Sequence, residues 1–83
     1  MPGVPLTSGQ IRAARAMIRW TAQDLADASV LSVATIRRAE LREVDTSLTA
    51  ANDLAVRRAL EAAGVQFIDA NGGGPGVRLR DYK

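Results

Sequence analysis

Six arginines (Arg12, Arg15, Arg19, Arg37, Arg38 and Arg42) fall between Gln10 and Arg42, against only Asp24, Asp27 and Glu40. A guanidinium presents a planar fork of donors that matches a phosphate or a guanine edge. The chemistry this spacing offers is therefore anion recognition. Little else is available. The chain has no cysteine and no histidine, which removes thiolate and imidazole catalysis and any disulfide framework. Zinc would find only carboxylates, so no metal or cofactor is expected. Asp24/Asp27 and Glu40/Glu43 have helical spacing, but acid faces on helices are ordinary. No nucleophile stands in a pattern with a base, and an enzyme is not expected. The stretch Asp69-Ala-Asn-Gly-Gly-Gly-Pro-Gly76 suggests a phosphate cradle, but no Gly-Lys-Ser/Thr follows and no helix begins there. It reads as a flexible hairpin turn.

The arginines need elements to aim them, and residues 21 to 40 supply two short helices with a tight corner between them. Thr21 and Ser32 each stand just ahead of a 3.6-residue apolar period, where a hydroxyl N-cap belongs. The first helix puts Leu25, Ala26 and Ala28 on apolar faces. The second turns Ile36 and Ala39 inward. Small Ala26 lets the two cross closely. The outer face of the second helix is then Val33, Ala34, Thr35, Arg37 and Arg38, short, stiff and basic, as suits a DNA major groove.

Ala26, Leu31, Ser32, Ile36 and Glu40, with Arg15 in the preceding helix, resemble the helix-turn-helix of phage repressor and Cro-type (XRE-like) regulators over about residues 8 to 63. The resemblance implies a mainly α, four-helix lambda-repressor-like DNA-binding domain. It also implies a buried ion pair between Arg15 and Glu40. Two positions depart from the family pattern. Its glutamine directly after the first N-cap is Ala22 here, with Gln23 one step later. Its corner glycine is Val30, where a left-handed backbone would cost roughly 1–2 kcal/mol. A corner re-shaped to suit valine is expected.

The remaining elements follow from local signals. Residues 1–6, with two prolines and a glycine, read as a flexible arm. Thr7 or Ser8 caps a first helix running to about Arg19, with Ile11, Ala14, Arg15 and Ile18 on one face and Trp20 as a boundary anchor. Ser47 is expected to cap a fourth helix, Leu48 to Ala63, with an apolar stripe of Ala51, Ala55, Val56, Ala59, Leu60 and Ala63 and Gly64 closing it. Residues 7–64 thus form the helical domain. In residues 65–83 the period changes: Val65–Ile68 and Val77–Arg80 read as strands of a C-terminal β-hairpin. An isolated hairpin is marginal in water. Val65, Phe67, Val77 and Leu79 are therefore expected to pair with a second copy and make a homodimer, with packing on the chain's own helices as the alternative.

Eighty-three residues read as one domain, small enough for its stability to be marginal alone. No apolar run approaches a membrane span and no signal-peptide pattern is visible, so a cytoplasmic location is expected. The leading functional expectation is a transcriptional regulator, most simply a repressor, that binds double-stranded DNA as a homodimer reading half-sites about 34 Å apart. Thr21, Gln23 and Ser32 would hold phosphates or reach bases. Val33, Ala34 and Thr35 would meet base edges and thymine methyls, Arg38 guanine, and Arg37 base or backbone. Arg42 and Ser47 would flank a phosphate. The alternative is a protein-interaction module, such as an antitoxin that binds a toxin partner and regulates its own synthesis.

Overall fold

The computed structural model describes residues 4–70 and 72–80. The start of the expected arm and the end of the tail lie outside them. Four helices come first, α1 (Ser8–Ile18), α2 (Ala22–Ser29), α3 (Val33–Leu41) and α4 (Ala50–Ala62). A hairpin of β1 (Val65–Ile68) and β2 (Gly76–Leu79) follows, antiparallel with Val65 opposite Leu79 and Ile68 opposite Gly76. The protein is thus a small, mainly helical domain with a two-stranded antiparallel hairpin. No helix among the described residues is long and apolar enough to cross a membrane.

The helix starts follow the hydroxyl signals at three of four places. Thr7 caps α1, its hydroxyl accepting from Gln10 N while Gln10 returns its side-chain oxygen to Thr7 N. Thr21 caps α2 in the same reciprocal way with Asp24, and Ser32 caps α3 through Thr35 N. Ser47 does not cap α4. Its backbone is left-handed, with φ 61°, and the cap is Thr49, which accepts from Asn52 N. With Thr49 as cap, Asp53 falls in the first helical turn, where a carboxylate complements the helix dipole.

The core is Leu6, Ile11, Ala14, Leu25, Ala26, Ile36, Ala39, Val56, Leu60 and Val65. Each helix contributes the positions its period assigned, with exceptions. Ala28 is exposed, and Ser29 is buried in its place, its hydroxyl donating to Leu25 O at 2.7 Å. Ala51, in the first turn of α4, is exposed. Leu6, expected in a flexible arm, is 2% exposed, and its N–H donates to Asp53 Oδ1. The chain enters the fold before its first helix.

The corner between α2 and α3 is not re-shaped for valine. Val30 sits at φ 59°, ψ 39°, left-handed, as the C-cap of α2. Its N–H and that of Leu31 close the helix onto Asp27 O and Ala26 O. The geometry the corner needs is kept, with a β-branched residue holding it. The side chain gains no packing in return, being 88% exposed.

The hairpin lies on the chain's own helices. Val65 is fully buried, and Phe67 and Val77 pack against the core beside α1 and α4. Gln10, at the start of α1, donates Nε2 to Ile68 O and Gly76 O, pinning the loop end of the hairpin. Of the four residues expected to meet a second copy, Val65 is thus buried within the chain, while Phe67, Val77 and Leu79 are half-buried.

Candidate nucleic-acid interface

One stripe of α1, Ser8, Arg12 and Arg15, holds the last turn of α3. A helix leaves its final carbonyls without partners, and here α1 supplies donors. Ser8 Oγ donates to Ala39 O at 2.5 Å. Arg12 Nη1 donates to Glu40 O at 2.5 Å and reaches Arg42 O at 3.4 Å. Arg15 grips the Glu40 carboxylate with Nε and Nη2, both at 2.6 Å, and ties Trp20 O with Nη1. The two side chains of this ion pair are 22% and 10% exposed. The hydrogen bonds to Glu40 raise the Arg15 pKa; burial opposes this and charge attraction adds to it. The ion pair implied by the resemblance joins α1 to α3. The sequence marks Ser8 only as a possible cap and Arg12 only as one of the clustered arginines, although their i, i+4, i+7 spacing with Arg15 puts all three on one face.

Fixed in this way, α3 turns Ala34, Arg37 and Arg38 to solvent. Val33 and Thr35, expected on the same outer face, are half-buried, and Val33 packs on the core. Thr35 Oγ1 shares a hydrogen bond with Ser32 Oγ at 2.9 Å. Among the described residues the Arg15–Glu40 pair is the only salt bridge. Arg37, Arg38 and Arg42 therefore have no carboxylate partner there.

Arg38 and Arg42 also line a shallow cleft of about 300 Å³ between α3 and the start of α4. Thr35, Thr46, Ser47, Thr49 and Asn52 complete its polar lining, with Ala39 and Leu48, and it holds no carboxylate. Asp45, in the same loop, does not line it and accepts from Ser47 N instead. The cleft thus brings Thr35, Arg38, Arg42 and Ser47 together and adds Thr49 and Asn52. Thr49, and not the expected Ser47, caps α4, which leaves Ser47 as part of the cleft wall. Two cations, four hydroxyls and an amide facing one hollow make an anion-accepting surface.

The expected residues on α2 stand differently. Thr21 is exposed, but its N–H is taken by Asp24 Oδ2. A carboxylate thus sits where a phosphate would approach this helix end. Gln23 Nε2 donates to Asp27 Oδ1 at 2.9 Å, so its amide is engaged. Neither residue lines the cleft. No protein-family model matches the chain, and no curated protein is significantly similar to it in sequence.

Proposed function

We propose that the protein is a sequence-specific regulator of transcription that binds double-stranded DNA. In this reading α2 and α3 form a helix-turn-helix, and the fold is lambda-repressor-like. The observation that carries the reading is the carboxylate-free cleft of Arg38, Arg42, Ser47, Thr49 and Asn52, continuous with the exposed Arg37 and Ala34 of α3. A phosphate in the cleft sets the register of the backbone, and α3 then lies along the major groove with Ala34, Arg37 and Arg38 toward base edges. Thr35 and Ser32, hydrogen-bonded to each other, hold the N-terminal end of α3. Two copies read two half-sites on one face of the duplex.

Selection of bound sites from a random DNA pool tests the reading. Enrichment of one motif, as paired half-sites about one helical turn apart, is the expected result. Recovery of unenriched DNA, or none at all, would leave the cleft without its proposed ligand.

A further inference from the structure

A groove of about 830 Å³ runs along the outer face of α4, walled by Val4 and Pro5 on one side and by Leu54 and Arg58 on the other. Val4 is 61% and Leu54 40% exposed, so the chain leaves this apolar surface uncovered. The wall is tied in place. Arg57 donates to Val4 O at 2.9 Å while its guanidinium lies over the Phe67 ring, 5.3 Å from the centroid.

We propose that this groove is the contact between two copies of the chain, related by a two-fold axis near Leu54, with α4 crossing the second copy's α4 antiparallel. Charge selects the occupant and the register. Arg58 is exposed and has no carboxylate partner among the described residues, while Asp53, Glu61 and Asp69 line the groove, Asp53 nearest Leu54 in the sequence. With Leu54 on the axis, Ala50 comes opposite the second copy's Arg58 and Ala51 opposite its Arg57. Arg58 then crosses a small residue and comes alongside the other copy's Asp53, while Arg57 stays on Val4 O and the Phe67 ring. Moving the axis one turn toward Arg57 and Arg58 would set arginine against arginine, which is unfavourable. A two-fold contact is self-complementary in this sense.

Position agrees with charge. Leu48 lines both this groove and the cleft between α3 and α4. A second copy seated here sits beside the proposed DNA face, as a pair of recognition helices on one side of a duplex requires. The apolar face of the hairpin is already spent on α1 and α4. The use of the contact rests on the two-half-site reading, but its test involves no DNA.

Sedimentation of the full chain, without DNA, should show a dimer. Leu54→Glu should weaken it by more than about tenfold, as loss of a central apolar anchor does, with helical circular dichroism kept. The chain has no cysteine, so Leu54→Cys gives a single reporter thiol. On mild oxidation it should form a disulfide-linked dimer far faster than Ile68→Cys, a comparably exposed site (36%) on the hairpin. This second variant decides the matter should Leu54→Glu fail to fold. A wild-type chain that remains monomeric at millimolar concentration overturns the proposal. So does a folded Leu54→Glu that still dimerises, or cross-linking led by Ile68→Cys, which would place the contact on the hairpin.

Discussion

The Arg15 guanidinium meets Glu40 with two parallel hydrogen bonds, Nε to Oε2 and Nη2 to Oε1, and so joins α1 to the last turn of α3. Both side chains are mostly buried, so removing one strands the other out of water. Glu40→Ala should cost about 3 kcal/mol, the lower end for a buried pair because Arg15 keeps some solvent. Glu43→Ala, at an exposed position, should cost far less. Thermal melts of the two variants make the comparison, and equal small shifts would contradict it. The pH sign is also set. The folded-state pKa of Arg15 is raised, chiefly by its hydrogen bonds to Glu40, so its contribution is fully present at neutral pH. It is lost only as pH rises above arginine's ordinary value.

Val30→Gly should stabilise the protein. Val30 holds φ 59° with its side chain 88% exposed, so glycine relieves backbone strain and gives up almost no packing. The expected gain is about 1 kcal/mol, the relief of left-handed strain less the greater chain entropy of glycine when unfolded. Urea denaturation measures it. A loss of stability would mean that valine makes a contribution in the unfolded chain larger than the strain.

Features with a local cause were legible in the sequence. Thr21 and Ser32 cap their helices because a hydroxyl ahead of an apolar period satisfies the next free amides, whatever the rest of the chain does. Features decided by the tertiary fold were not. Ser47 and Thr49 are both hydroxyls near one helix start, and the choice between them turns on Asp53, which also holds Leu6 N from a distant segment. Leu6 looked like the end of an arm because nothing local marks it as core. The clamping role of Arg12, one of the clustered arginines, is not legible because its partners are main-chain oxygens of residues 40 and 42, which carry no residue identity to read. At the candidate site, Arg38 and Arg42 could be picked out by charge, but their meeting with Thr49 and Asn52 depends on where α4 begins.

Arg12→Ala should loosen the C-terminal turn of α3 more than its exposed position suggests. It removes the donor to Glu40 O and leaves Ser8 and Arg15 to hold that turn. Hydrogen exchange should show faster opening of the amides of residues 39–42, with α4 unaffected. The global cost should be about 1 kcal/mol, as for a partly exposed hydrogen bond. Unchanged exchange in α3 would show that the other two contacts suffice.

Gln10→Glu separates two roles of one buried side chain. The variant keeps the oxygen that accepts from Thr7 N but loses the donors to Ile68 O and Gly76 O. It also sets a carboxylate against two carbonyl oxygens. The hairpin should therefore loosen at its loop end while α1 stays capped, at a cost of roughly 1–3 kcal/mol. Truncation after Gly64 goes further, because it removes Val65 from the core. It should destabilise the helices as well, because Val65 belongs to the same core as Leu25, Ile36 and Leu60. Amide exchange across residues 65–68 and 76–79 checks the point variant, and a thermal melt checks the truncation.

Arg38→Ala and Arg42→Ala should differ in what they do to DNA binding. Arg38 stands at the junction of the exposed α3 face and the cleft, whereas Arg42 lies past the end of α3 and only lines the cleft. A base contact discriminates between sequences, while a phosphate contact strengthens binding to all of them. Arg38→Ala should thus cost about 1–3 kcal/mol on the selected site and less on random DNA. Arg42→Ala should weaken both by similar factors and lower the slope of log affinity against log salt by about one. Titrations of both variants on both DNAs at several salt concentrations read these quantities directly. Equal losses for Arg38→Ala on the two DNAs would assign it to the phosphate backbone, and base reading by α3 would then fall to Arg37 and Ala34.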